Sequence, residues 1–356
     1  MSNGGVKRGP AVPPPVRIRR DVSNLTANDP IIVYYGRAVG YMSTKWGNSF
    51  QDPRSWRYQA AIHNYPTSVK TVDRKNGGDP NASDADLPFL GDRGKYWRKC
   101  EHGSWFFLAW HRMYVHFFEK IIINILPDLV VAPEIAPPDW ALPYWNYSSS
   151  ATAALLPEAF RSPTLPAGFL DNPPGLEPRR NYLWVAERNG LAGPNQDQPF
   201  LTTPTSVAGP NDTNLDCLKA QRFNAFEGPH IHHHDQGSAG LLENTPHNNV
   251  HVKLGGTNGF MTSPITAALD PMFWLHHCNI DRLWEVWVQR QKQLKRLDRN
   301  PKVAGGDPSG WLDVPFDFHD ATGAPVQMKP RDVLNTRVPP LSYEYEDTID
   351  PFKGAP

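Results

Sequence analysis

Thirteen histidines are spread along the 356 residues, and six of them fall into two sets at spacings that suit a metal ion. In the C-terminal set His247 and His251 stand four apart in a short segment of helical pattern. A helix turns about 100° per residue, so positions i and i+4 share one face and can chelate one ion. His277 follows on the apolar stripe of the next helical segment, with Asp281 one turn further on. Asp281 is placed to orient the His277 imidazole as a supporting carboxylate. The N-terminal set is His63, His102 and His111. His102 and His111 would lie on opposite sides of one continuous helix. They converge only if His102 sits in a loop before the helix and folds back over its first turns, which Gly103 and Ser104 permit. Neutral imidazoles, without carboxylate or thiolate among them, suit zinc, copper, iron or nickel and disfavour magnesium or calcium. Two such sets on one core point to a dinuclear centre.

The elements that must position these residues are legible as helices. The first opens at Asp29-Pro30, a capping residue followed by proline at the first helical position, and repeats Ile31, Tyr34, Tyr35, Ala38 and Met42 at helical spacing. A second runs from about Pro53 to His63. The third runs from about Ser104 to Leu126 and stops at Pro127, its inward stripe holding Phe107, His111, Tyr114, Phe118, Ile121 and Ile125. The fourth is short, capped by Thr245, with Pro246 at its first position and Gly255 at its end. The fifth repeats the cap-then-proline signal at Asp270-Pro271 and continues to about Leu294. A Pro-, Gly- and Asn-rich stretch from about Ser148 to Phe223 reads as extended loop with short strands. Helices joined by long loops predict a mainly α, single-domain fold over residues 21–346, between a flexible, basic Pro-rich tail at 1–20 and a C-terminal tail at 347–356.

Bulk composition narrows the function classes. Lys plus Arg equals Asp plus Glu at 36 each, so neither nucleic acid nor an anionic membrane is indicated as a partner. The 37 prolines are about twice the average usage of roughly 5%, which predicts long ordered loops around the helices. Three cysteines, Cys100, Cys217 and Cys278, make no disulfide framework. No apolar run marks a signal peptide or a membrane span, so the sequence predicts a soluble, cytoplasmic chain, with export by another route left open. Sequons at Asn24, Asn81, Asn146 and Asn211 would matter only on a secretory route.

The residues around the histidines decide among the metals. The run His102 to Glu119, HGSWFFLAWHRMYVHFFE, resembles the copper-A signature of tyrosinases, catechol oxidases and molluscan haemocyanins. DPMFWLHHCNID, Asp270 to Asp281, resembles their copper-B signature, and PHNNVH before it resembles the first two copper-B ligands. DVLNTRVPPLSYEYED is similar to the tyrosine-containing stretch that closes the catalytic domain in many polyphenol oxidases. The resemblance covers most of residues 30–346, in the family's order. It implies a four-helix bundle holding two copper ions, wrapped by long proline-rich loops and short strands. His63, His102 and His111 are then the ligands of one copper, and His247, His251 and His277 those of the other, with His276 structural. It implies a copper oxidase that uses dioxygen to hydroxylate monophenols and oxidise o-diphenols to o-quinones.

Further roles follow from the same resemblance. Cys100, two residues before His102, matches a Cys-x-His thioether crosslink. Glu243 and Asn248 match a glutamate and an asparagine that hold a basic water near the coppers. Val252, after His251, and Pro264, in the loop before Asp270, fall at the substrate pocket; Val252 offers no guiding charge, and Pro264 stands where some plant enzymes place a bulky aromatic. Phenols and dioxygen are the implied partners, and a copper chaperone is a possible one. Alternatives are a catechol oxidase without monophenolase activity, a haemocyanin-like dioxygen carrier, whose shielding domain is not met in the eleven residues after Tyr345, and a mononuclear zinc hydrolase, which would keep a catalytic carboxylate beside its ligands.

The other polar groups have plain readings. His116 is packing, and His319 stands alone in a loop. His230, His232, His233 and His234 form a solvated loop whose composition could help load copper. Arg112 and Glu119, seven apart, read as a charge pair on one helix face. Trp284 and Trp287 read as core.

Overall fold

The computed structural model describes residues 15–46, 50–65, 94–131, 134, 136–166, 169–188, 191–192, 212–229, 237–257, 259–296 and 309–354. Within them the chain is mainly helical, and the helices start where side chains can satisfy the free N–H groups of a first turn. Helix α1 (Pro30–Thr44) begins at Asp29, whose carboxylate accepts the Ile31 N–H. Ile32 and Val39 share its buried face with Tyr35, Ala38 and Met42, while Ile31 is only half-buried. Helix α2 (Trp56–His63) starts later than Pro53, because Ser55 is the residue that caps it, accepting from the Tyr58 N–H.

Helix α3 (Phe107–Ile125) and helix α5 (Pro271–Gln293) lie side by side. The sequence predicts one inward stripe on α3, yet 16 of its 19 residues are buried. It is therefore a central helix, covered on nearly every side. Asp270 caps α5 by accepting the Met272 N–H and is itself held by both arms of Arg188 at 2.9 and 2.8 Å. Between them, helix α4 (Asn249–Gly255) follows a wide turn, Glu243–Asn248, broken at Thr245 by an extended backbone (φ −145, ψ 121). The helical run thus resumes at Pro246, as the cap-then-proline pattern predicts.

Strand pairing is sparse. Strand β1 (Arg17–Arg19) pairs in parallel with β6 (Tyr343–Tyr345). β2 (Glu187–Arg188) pairs with β3 (Leu191–Ala192), and β4 (Phe316–His319) with β5 (Pro325–Met328), both antiparallel.

Several expectations change here. Arg17–Arg19, assigned to a flexible tail, is a strand with Arg19 fully buried. The C-terminal tail is also tied down, since Asp350 is buried against Arg290 at 2.8 Å. His319 is not a lone loop residue: it ends β4 and packs against Tyr58 and Tyr96. Arg112 does not pair with Glu119. It bonds Asp281 and Glu285, while Glu119 takes Arg17 at 2.9 Å and Arg19 at 3.1 Å. Asn146, a sequon residue, is buried and accepts from Arg282 at 2.9 Å. His116, Trp284 and Trp287 are buried. No helix among the described residues is long and apolar enough to cross a membrane.

Candidate metal centre

Two groups of donor atoms converge in the core. His63, Cys100, His102 and His111 bring their ligand atoms within 4.8 Å of one another, and His247, His251, His276 and His277 do the same. The first group draws on the end of α2, the loop before α3 and the first turns of α3. The second draws on the turn before α4, α4 itself and α5. The groups adjoin: the His111 and His277 rings stack at 4.3 Å, and those of His102 and His247 lie 5.9 Å apart.

His102 lies in the loop ahead of α3, as its convergence with His111 demands. Gly103 makes the reversal possible. Its φ is +62, and a Cβ there would stand 2.7 Å from the Gly237 carbonyl oxygen.

The backbone fixes how the rings face. His63 Nδ1 donates to the Pro264 carbonyl at 2.8 Å, His111 Nδ1 to Phe107 O at 2.7 Å, and His251 Nδ1 to Met261 O at 2.9 Å. A carbonyl only accepts, so each Nδ1 carries the proton and each Nε2 keeps a lone pair for an ion. His247 Nδ1 donates to the Asn248 side-chain oxygen at 2.9 Å. His247 Nε2 is buried without a hydrogen-bond partner, and the Nε2 atoms of His251 and His277 face each other at 3.4 Å. Inward lone pairs with nothing to accept from are what a cation would satisfy.

Electrostatics agree with this. Burial, reinforced by neighbouring imidazoles, holds His111, His247 and His277 well below the usual histidine range. His251 is pushed down to about 4, chiefly by burial. All are neutral near pH 7, the form that binds metal.

Three residues differ in detail from their expected surroundings. Asp281 does not touch His277; it accepts from Arg112, Tyr343 and Tyr345, and lies 3.5 Å from Arg19. The Nδ1 of His277 has no hydrogen-bond partner. His276, read as structural, converges with the second group, and both of its ring nitrogens are buried without partners. Pro264 contributes its carbonyl to His63 as well as lying in the loop before Asp270. The sequence held no signal for these carbonyls, because any residue supplies one.

The remaining site residues lie around this centre. Glu243 is buried and accepts the Gly103 N–H with both oxygens, at 3.0 and 2.9 Å. Burial pushes its carboxyl up to about 7. Cys100 Sγ lies 3.5 and 3.4 Å from the two ring nitrogens of His102 and 3.2 Å from His111 Nε2. Val252, beside His251, is 55% exposed. His230, His232, His233 and His234 lie outside the described residues.

A mainly helical core holding two adjoining, histidine-rich donor sets defines a dinuclear metal protein, and its donors fit a type-3 copper pair. Comparison with known proteins carries this further. Residues 53–290 match the common central domain of tyrosinase and residues 307–353 the polyphenol oxidase middle domain. The chain belongs to the tyrosinase and polyphenol oxidase family of type-3 copper proteins. It is 34% identical over 340 residues to tyrosinase HcTyr1 of Hahella sp. (strain CCB-MM4), covering 93% of this chain and 63% of that one. It is 28% identical to the chloroplastic polyphenol oxidase of Spinacia oleracea, covering 94% and 48%. The chain thus spans between about half and just under two thirds of these two relatives. The fold is that of the polyphenol oxidase of Vitis vinifera, with a TM-score of 0.61, 24% identity, and coverage of 97% and 90%.

Proposed function

We propose that this chain is a copper oxidase that hydroxylates monophenols and oxidises o-diphenols to o-quinones with dioxygen. The observation that carries the reading is the pair of adjoining histidine-rich sets in the core, in a family of phenol oxidases. His63, His102 and His111 are the ligands of one copper; His247, His251 and His277 are those of the other. Helices α2, α3, α4 and α5, with the segments that lead into α3 and α4, act as the four-helix bundle of the family. Copper supplies the redox chemistry with dioxygen when bound.

The chain's own residues orient and exchange protons. Carbonyls of Pro264, Phe107 and Met261 lock three rings by their Nδ1–H groups, so ligand geometry is set before metal arrives. Cys100, seated against the His102 ring, forms the thioether that would fix that ring. The bond would replace S–H and ring C–H by S–C with loss of two protons and two electrons, an oxidation that bound copper with dioxygen would supply. Glu243 is the proton acceptor on the phenol path. A carboxyl poised near neutrality takes a proton from a phenol through a water more readily than one of ordinary acidity. Asn248 turns its oxygen to the His247 Nδ1 and so orients that ligand. Val252 and Pro264 line substrate entry without charge or bulk.

A screen of mono- and diphenols on copper-loaded protein tests this. Glu243→Gln and Asn248→Leu should depress hydroxylation of tyramine or tyrosol far more than oxidation of catechol. Equal losses on both substrates would remove the base role, and a wild-type enzyme inert toward every monophenol would make it a catechol oxidase.

A further inference from the structure

Behind the first histidine set runs a file of oxidisable aromatic rings. Trp110 packs against His111 at 4.9 Å and His63 at 6.4 Å between ring centroids. Tyr114 follows at 4.9 Å from Trp110, then Trp274 at 4.7 Å from Tyr114, then Trp56 at 6.2 Å from Trp274. Trp56, only 6% exposed, is where the file meets a surface groove. It lines a groove of about 1100 Å³ on the protein surface, together with Tyr182, Trp184, Phe260 and Leu269.

At Trp274 the residue type brings a polar group that packing does not use. Trp274 is fully buried, and its indole N–H has no acceptor. A buried unpaired donor costs free energy that phenylalanine would not incur. The same missing acceptor has a chemical consequence. An indole that loses an electron here has no base to take its proton, so it stays a strongly oxidising cation and passes the deficit on. Phe118, stacked face to face on Trp274 at 3.5 Å, stabilises that cation through its ring. Tyr114 donates its hydroxyl to the Gln59 carbonyl, which is no base either. Its ring bridges the two indoles rather than trapping the charge as a neutral radical.

We propose that Trp110, Tyr114, Trp274 and Trp56 form an electron path that discharges the copper centre when no phenol is bound at the coppers, protecting its histidines from oxidation. This rests on the copper-oxidase reading above. Each transfer moves one electron inward: Trp110 gives one to the oxidising centre, Trp274 refills Trp110, and Trp56 refills Trp274. A phenol or similar one-electron donor in the groove refills Trp56 and releases its proton to water. At the centre each electron is matched by a proton taken from water, so dioxygen or peroxide ends as water. The groove is thus a second place where phenols give up electrons, distinct from the copper site.

The test uses copper-loaded protein treated with hydrogen peroxide in the absence of phenol, followed by peptide mass spectrometry of oxidised residues. Wild type should carry its oxidation at Trp56 and little at His63 or His111, and zinc-loaded protein should carry none. In Trp274→Phe, oxidation at Trp56 should fall several-fold while that at Trp110, His63 and His111 rises, with the initial rate on catechol unchanged. Should Trp274→Phe fail to fold, Trp56→Phe serves, and its damage should stop at Trp274 and Trp110. An unchanged distribution in the folded variant, or wild type that oxidises catechol yet shows no copper-dependent indole oxidation, overturns the path alone. Copper-loaded wild type unable to oxidise any diphenol overturns the function on which it rests.

Discussion

The sulfur of Cys100 stands nearly equidistant from the two ring nitrogens of His102, at 3.5 and 3.4 Å. A sulfur in that position lies near the plane that bisects the ring through Cε1, the carbon between the nitrogens. Burial pushes the free thiol well above its usual range, so an unmodified Cys100 would stay protonated and inert. The expected outcome in copper-loaded protein is a peptide lighter by two hydrogens, spanning Cys100 and His102, with a Cys100 that resists alkylation after denaturation. A freely alkylated Cys100 in active enzyme would show that no crosslink forms.

Glu243 should make stability depend on pH in the metal-free protein. Its carboxyl is raised from 4.5 to about 7 by burial, so the folded chain binds this proton more tightly than the unfolded chain. The stability it contributes is fully present below pH 4.5 and is lost as pH rises to about 7. Glu243→Gln abolishes that loss. Denaturant titrations should therefore find the variant gaining on wild type by about 3 kcal/mol between pH 4.5 and 8, a scale set by 1.36 kcal/mol per pKa unit. A constant difference across that range would mean that the carboxyl ionises normally.

Arg19 should be among the costliest side chains to remove. It is fully buried, donates to Glu119 at 3.1 Å and to the Tyr345 hydroxyl at 2.9 Å, and lies 3.6 Å above the Tyr343 ring. Arg19→Ala leaves Glu119 buried with Arg17 as its remaining guanidinium, at 2.9 Å. Breaking a buried pair on one side costs about 3–5 kcal/mol, so urea unfolding should show a loss on that scale. A loss below about 1 kcal/mol, the range of exposed pairs, would mean that the network holds without it.

Parts of this architecture were legible in the sequence, and the reason differs from part to part. The caps at Asp29 and Asp270 were readable because a cap and its helix are neighbours in the chain. The pairing of His247 with His251 was readable because helix geometry alone brings i and i+4 together. The fold-back of His102 was readable from Gly103, where φ is +62. What depends on distant partners was not. Strand β1 pairs with residues more than three hundred positions away, and a short basic segment beside prolines gives no local sign of that. Arg112 and Glu119 do lie near one face of α3, yet each is buried against another element, Arg112 on Asp281 of α5 and Glu119 on Arg19 of β1. The convergence of His276 was equally hidden, since adjacent residues on a helix ordinarily point in different directions.

The central claim, two coppers held by two histidine sets, is tested most directly by metal content. Purified protein reconstituted with Cu(I) and dialysed should retain two coppers per chain, and chelation should lower its melting temperature because site assembly and folding are linked. His111→Ala and His251→Ala should each fall to about one tightly held copper, from opposite sets, and lose catechol oxidation. A wild-type protein that retains one zinc and no copper after the same treatment would contradict the account.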